Sequence, residues 1–220
     1  MNISLLRLLQ LASPILPVGA FAYSQGLEQA VQVGLVRDEE TARQWIVNLL
    51  HYPMARFEAP LLTAMQKAVA AGEEASFRRW EAIYLASREG VELREETLQM
   101  GHALSRLVGQ LTPHVYATAL DPVTFPGGWA MVAHGWGIGA EEAVTGYLWS
   151  WCENQVTAAV KIVPLGQTAG QRILFDLASS LPVLVERALV MEEESWSSFA
   201  PGLAVASSGH ETQYCRLFRS

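Results

Sequence analysis

The chain has 220 residues, of which 50% are hydrophobic and 17% are charged, and its formal net charge is −7. A negative surplus opposes a general attraction to nucleic acid or to anionic lipid, so we expect neither nucleic acid nor a membrane among its partners. The high apolar content favours a large core, with part of the surface covered by a second copy or by a partner protein.

The cysteines and the N-terminal residues indicate where the protein resides. Only Cys152 and Cys215 occur, and their spacing matches neither a metal site nor a disulfide framework. The first residues lack a basic region followed by a long apolar run, and no run reaches the roughly 18 apolar residues of a membrane span. We therefore expect a cytoplasmic protein that is not exported.

Apolar residues recur at three- and four-residue spacing along most of the chain, and no segment shows the alternation of a strand. The spacing predicts helices over 3–12, 27–34, 38–50, 54–71, 73–85, 91–110, 129–139, 141–162 and 167–191. The predicted fold class is therefore all-α. We expect one domain over residues 1–220, a helical bundle of about eight to ten helices.

Proline and glycine predict where this helical pattern is interrupted. Pro53 is expected to kink the chain or to separate two helices, and Pro182 to kink or break the last long helix. The stretch 111–128 is the densest in proline and glycine, and we interpret it as a hinge within the domain. The charged residues of 91–110 are predicted to be exposed; they are Glu92, Arg94, Glu95, Glu96 and Arg106.

The stretch 13–28 holds two prolines and two glycines between two predicted helices, which indicates a shaped turn. We call it the opening turn. Its apolar side chains are expected to pack on the body; they are Ile15, Leu16, Val18 and Phe21. Its polar side chains are the candidates for function; they are Tyr23, Ser24, Gln25 and Glu28.

A search for catalytic chemistry yields no catalytic residue. The five histidines have no metal-ligand spacing, and Cys152 has no histidine at a neighbouring helical position. The glycines of 135–139 follow no strand, so a nucleotide loop is not predicted. His210, next to Glu211, and Cys215 are weak candidates for metal contact. The absence of catalytic groups favours a binding or scaffolding protein without a tightly bound cofactor.

Two further features suggest contact with a partner. Lys161 is a single cation in an apolar helix end, where it either caps the helix carbonyls or docks a partner carboxylate; the sequence does not separate the two. Residues 210–220 alternate aromatic, leucine and arginine side chains, a composition typical of interfaces. Docking of this stretch on the chain's own core is the alternative.

Three blocks, residues 11–28, 160–167 and 210–220, closely resemble the UreF-type urease accessory proteins. They occur in the order found in that family, and the similarity extends over essentially the whole chain. The resemblance implies an all-α protein without catalytic activity that forms a homodimer. It also implies binding to a UreD/UreH-type accessory protein and recruitment of a UreG-type GTPase, with GTP-dependent nickel insertion into apo-urease by the assembly.

The resemblance also suggests which residues contact partners. A C-terminal segment, 203–220, would bind the UreD/UreH-type protein through Tyr214, Arg216, Leu217 and Phe218. Another set would face the GTPase; it comprises Phe21, Tyr23, Glu28 and Lys161. Nickel would be handled by the complex rather than held by this chain.

The residues also allow two alternative functions. One alternative is a small all-α enzyme with a pocket formed by Tyr23, Glu28, His134 and Lys161, and the other is a nickel-storage protein. If Glu28 and Lys161 only contact partners, their replacement by alanine leaves thermal stability unchanged. Deletion of 210–220 is expected to leave a folded helical protein that no longer binds the UreD/UreH-type partner.

Overall fold

The computed structural model describes residues 3–112 and 123–220, and within these ranges it contains ten α-helices and no strand. The helices are α1 (Ile3–Leu11), α2 (Leu27–Gln32), α3 (Glu39–Leu49), α4 (Ala59–Ala71), α5 (Glu74–Ala86), α6 (Val91–Leu111), α7 (Phe125–Gly135), α8 (Ala140–Ile162), α9 (Gln167–Val190) and α10 (Pro201–His210). The all-α prediction is confirmed. In the same ranges, no helix is both long and apolar enough to span a membrane.

Pro53 neither ends a helix nor separates α3 from α4. A π-helical segment, Leu50–Glu58, joins the two, and the backbone stays right-handed helical at Leu49 and Ala59 on its two sides. The wider π turn accommodates proline, which has no N–H to donate, so the helix continues through this position. The segment also turns the carboxylate of Glu58 into the core, where it is 4% exposed.

The hinge predicted for 111–128 lies partly outside the described residues, which omit 113–122. In the part that is described, residues 125–128 form the first turn of α7, and Pro126 lies in this turn, where proline is tolerated. Thr124 caps this turn by accepting a hydrogen bond from the Gly127 N–H at 3.3 Å. A Cβ on Gly127 would overlap a carboxylate oxygen of Glu81, so close packing, rather than flexibility, requires glycine here.

In the last third of the chain, the structure differs from the predicted helices at two places. Pro182 lies inside α9, which continues to Val190, so the predicted break does not occur. Residues 201–210, for which no helix was predicted, form α10. Pro201 begins that helix in a position that suits proline, but Ser207, Ser208 and Gly209 weaken its helical pattern.

Helix α8 is the central element of the core. It packs along α9 and also contacts α4, α7 and the two N-terminal helices. The indole of Trp129 on α7 is fully buried and donates a hydrogen bond to the Ala143 carbonyl of α8 at 3.0 Å. At the periphery, α10 packs on α2. This contact brings the C-terminal residues to the opening turn.

Candidate partner-binding surface

The opening turn, the end of α8 and the C-terminal residues meet at one place in the fold. We call residues 211–220 the tail. The tail runs along the opening turn, where the Arg219 N–H donates to the Ala22 carbonyl at 2.8 Å. The Ser24 N–H and hydroxyl both donate to the main-chain oxygen of Ser220, at 2.8 and 2.6 Å. Backbone pairing therefore fixes the end of the tail against the opening turn.

The Glu28 carboxylate holds the middle of the tail. One of its oxygens accepts the Leu217 N–H at 2.7 Å, and the other accepts the Phe218 N–H at 2.9 Å. Glu28 lies in the first turn of α2 and is only 9% exposed. Hydrogen bonds from backbone N–H groups to a carboxylate are stronger than neutral ones. Within this chain, the function of Glu28 is to bind the tail, and contact with a partner stays a prediction.

His210, the last residue of α10, lies fully buried between two carboxylates immediately before the tail. Its Nδ1 is 2.7 Å from Glu92, and its Nε2 is 3.2 Å from Glu28. Glu92 also accepts a hydrogen bond from Arg216 at 2.6 Å. Both ring nitrogens are thus engaged, and in the part of the chain that the structure describes no group of His, Cys, Asp and Glu is arranged to hold a metal ion. The geometry gives His210 a structural function.

The N-terminus of α6 has no side-chain cap of its own and lies next to the first residue of the tail. Gly90 precedes α6 and offers no side chain, so the Glu211 carboxylate accepts the Val91 N–H instead, at 2.7 Å. A carboxylate at this position also interacts favourably with the helix dipole. The cap ties the first residue of the tail to α6.

Phe218 and Lys161 join the tail to the end of α8. The Phe218 ring is buried, and the ammonium of Lys161 lies 5.5 Å from its centroid, within cation–π range. Lys161 is exposed in the last turn of α8. The docking of Phe218 on the chain's own core corresponds to the alternative left open by the sequence.

Tyr23 is also internal. Its hydroxyl donates to Gln99 at 2.8 Å, and its carbonyl accepts the side-chain amide of Asn154 at 3.1 Å. Burial raises the pKa of Tyr23, partly offset by Arg219. Tyr23 therefore supports the opening turn, and a partner contact by it stays a prediction.

Other predicted contact residues point outward. Phe21 is 64% exposed, Leu217 is 66% exposed and Tyr214 is completely exposed. Arg216 and Cys215 are exposed as well. We call the exposed set the outer face; it comprises Phe21, Lys161, Tyr214, Arg216 and Leu217. The structure thus divides the predicted contact residues into buried ones that hold the tail and exposed ones that remain available.

One carboxylate that the sequence placed on the exposed side of α6 is internal. Glu96 is 5% exposed and accepts hydrogen bonds from Gln25 and from Ser220. The apolar periodicity of α6 gave no sign of this, because the tail that covers Glu96 lies 124 residues further along the chain. Glu96, Glu92 and Gln99 are residues of the site that sequence reasoning missed.

A cavity of about 190 Å³ lies beside the opening turn. Its polar wall contains the buried pair of Glu58 and Arg88, whose charged groups are 2.8 Å apart, and the Tyr147 hydroxyl, which donates to Glu58 at 2.7 Å. None of the residues of the alternative enzyme pocket lines this cavity; they are Tyr23, Glu28, His134 and Lys161. His134 is exposed in the last turn of α7. The cavity therefore does not support the enzyme alternative.

Comparison with known proteins identifies the family. The UreF family model matches residues 36–178. The urease accessory protein UreF of Azoarcus sp. (strain BH72) is 54% identical over 98% of this chain and 95% of its own length. That of Dechloromonas aromatica (strain RCB) is 49% identical over 99% of this chain and 98% of its own length. These two matches include the opening turn and the tail, which the family model does not reach.

A third relative combines two accessory functions in its name. The bifunctional urease accessory protein UreEF of Bordetella bronchiseptica is 45% identical over 98% of this chain, which spans 52% of that protein. All three relatives are named as accessory proteins and not as enzymes, in agreement with the expectation of a protein without catalytic activity. The chain belongs to the UreF family of urease accessory proteins.

Proposed function

We propose that this chain is a scaffold for urease maturation in the cytoplasm. It binds a UreD/UreH-type accessory protein and recruits a UreG-type GTPase, and the assembly inserts nickel into apo-urease in a GTP-dependent step. Nickel is the cargo of the assembly rather than a resident cofactor of this chain. The observation that carries the proposal is the near full-length similarity to proteins named urease accessory protein UreF.

The outer face supports partner binding by its chemistry. It presents two aromatic side chains, a leucine and two cations on an acidic protein, and aromatic and arginine side chains dominate the binding energy of many interfaces. Tyr214 and Leu217 gain nothing from this chain's own core, since both are exposed. Contact with a partner would bury them.

The internal contacts of the tail support the same proposal. Glu28 holds the backbone of Leu217 in place, and Glu92 pairs with Arg216. An interface that is ordered before binding loses less conformational entropy when the partner arrives. A fixed tail therefore favours a tighter complex with the UreD/UreH-type protein.

Two further aspects of the proposal rest on the family. As a homodimer, the chain would present two copies of the outer face to two copies of its partners. The Bordetella bronchiseptica relative, whose name describes a bifunctional accessory protein, supports a function close to other maturation factors. Lys161 and Phe21 form the part of the outer face that we assign to the GTPase.

The test is co-purification of the UreD/UreH-type protein with the double variant Tyr214→Ala, Leu217→Ala. Both side chains are exposed, so folding and tail docking are retained. Loss of two interface anchors is expected to weaken binding by at least about tenfold. Urease activation in cells that express the variant should fall in parallel.

The matched control is Phe175→Ala on α9, which removes another exposed aromatic side chain, outside the tail and the opening turn. It should bind the partner like the unmodified chain. Full binding by the double variant would refute the assignment of the outer face. Full urease activation in the absence of this chain would refute the proposed function itself.

A further inference from the structure

Glu96 connects the opening turn to the last residue of the tail. One carboxylate oxygen accepts the Gln25 side-chain amide at 2.7 Å, and the other accepts the Ser220 hydroxyl at 2.8 Å. The carboxylate is 5% exposed and lies between the end of the tail and the cavity beside the opening turn, which it also lines. Lifting the tail would remove one of these two hydrogen bonds and admit water. The environment of Glu96 therefore depends directly on whether the tail is docked.

Gln25 is held in place for this contact. Among the described residues it is the only non-glycine residue with positive φ, at +52°, a conformation that L-residues rarely adopt. Its amide oxygen accepts the indole N–H of Trp151 at 2.7 Å. Because an indole only donates, the amide nitrogen of Gln25 must point the other way, towards Glu96. The strained backbone thus directs a neutral donor at the carboxylate.

The surroundings of Glu96 disfavour its negative charge. Its two hydrogen-bond donors are neutral, and no cation within residues 3–112 and 123–220 forms an ion pair with it. Arg88 is engaged by Glu58; the Arg88 cation still favours the Glu96 anion, and the Glu58 charge opposes it, so desolvation by burial is what disfavours the charge of Glu96. Two tyrosines interact with the charge of Glu96, Tyr23 on the opening turn and Tyr84 on α5, and Arg219 of the tail lies beside Tyr23.

We propose that Glu96 is a positioning residue for the tail, which docks with the carboxyl group protonated and lifts when that proton is lost. Tail docking thereby becomes sensitive to pH. Docking is a property of this chain alone and is measurable without a partner. Its pH dependence is therefore tested separately from the proposed scaffold function.

The direction of the effect follows from the proton affinity of the two states. Burial raises the pKa of Glu96 from its usual value of 4.5 to about 7 when the tail is docked, although hydrogen bonds from Gln25 and Ser220 oppose the shift. When the tail lifts, water reaches the carboxyl group and its pKa falls back. Docking therefore takes up a proton, is strongest at low pH and weakens as the pH rises through this window. Above about pH 7 both states are ionised and the effect levels off.

Cys215 allows the tail to be observed in the full chain. It is exposed on the tail, whereas Cys152 is buried in α8 and burial raises its pKa to about 12, so a thiol-reactive nitroxide label modifies Cys215. The label is expected to become more mobile as the tail lifts. The ratio of docked to lifted tail should fall by at least about tenfold between about pH 5 and about pH 7.

The variant Glu96→Gln should abolish this pH dependence and keep the tail docked, since the amide stays neutral and can still accept from Gln25 and donate to Ser220. The matched control is Glu95→Gln, an exposed neighbour on α6 that should retain the full response. An unchanged response in Glu96→Gln would show that the pH dependence of docking does not arise from Glu96. That result would overturn the proposal.

A second measurement needs no variant. Carbon-13 NMR of the glutamate carboxyl groups in the unmodified chain should show Glu96 titrating with a midpoint near its pKa of about 7. A midpoint at or below about 5, close to the ordinary glutamate value, with the tail docked would overturn the proposal, even if Glu96→Gln failed to fold. A label mobility that does not change with pH would do the same.

Discussion

At the scale of single residues, Glu28 changed most between sequence and structure. The sequence suggested a carboxylate that faces a partner and can be removed without loss of stability. In the fold it binds two backbone N–H groups of the tail and lies beside His210. We therefore no longer expect Glu28→Ala to leave stability unchanged, because two backbone N–H groups, one of them buried, would lose their acceptor.

We predict that Glu28→Ala lowers the free energy of unfolding by about 1–3 kcal/mol, since hydrogen bonds to a charged group are lost and a buried donor is left unpaired. Urea denaturation measures this change, and hydrogen exchange at Leu217 and Phe218 should accelerate. Glu194→Ala, at an exposed position, is the control and should leave both measurements unchanged. Unaltered exchange at Leu217 and Phe218 in Glu28→Ala would show that the carboxylate does not hold the tail.

At the scale of secondary-structure elements, the contact between α2 and α10 carries the tail to its position. Gly26 precedes α2 with a φ of +77°. A Cβ at this position would lie 3.1 Å from the Ala206 Cβ and 3.2 Å from the Ser207 backbone nitrogen. Glycine is therefore required both by the backbone conformation and by the close approach of α10.

Comparison of Gly26 with Gly34 separates the requirement for positive φ from the requirement for close packing. Gly34 has a φ of +78°, and no atom lies within 4 Å of the point that a Cβ would occupy, so Gly34→Ala introduces backbone strain alone. We predict that Gly34→Ala costs about 1–2 kcal/mol of unfolding free energy, whereas Gly26→Ala costs more and also raises the mobility of a label on Cys215. Equal effects of the two substitutions would mean that α10 does not pack tightly on α2.

At the scale of the whole molecule, the tail is an integral layer of the fold rather than an appendage. It caps α6 through Glu211, covers Glu96 and inserts Phe218 next to the end of α8. The helices that form the core all precede it in the chain. Loss of the tail should therefore weaken the fold without removing it.

We predict that deletion of residues 211–220 preserves the helical far-ultraviolet circular dichroism spectrum and lowers the free energy of unfolding by about 2–4 kcal/mol, because a buried aromatic side chain and a helix cap are lost. Chemical denaturation of the full-length and shortened chains measures the difference. Equal stability of the two would mean that the tail does not contribute to the folded state. Loss of the helical spectrum would mean that the core cannot form without it.

The sequence by itself determined the all-α class, most helix positions and the family, because these depend on local periodicity, on turn residues and on contiguous blocks. It also suggested partner contacts for residues 13–28, for Lys161 and for the C-terminal stretch. Only the tertiary structure decided that these parts meet, that Pro53 lies in a continuous helix, and that Glu28 and Glu96 are buried. The physical reason is that the burial of a polar side chain is decided by what covers it. For Glu28 and Glu96, that cover comes from residues 190 and 124 positions away along the chain.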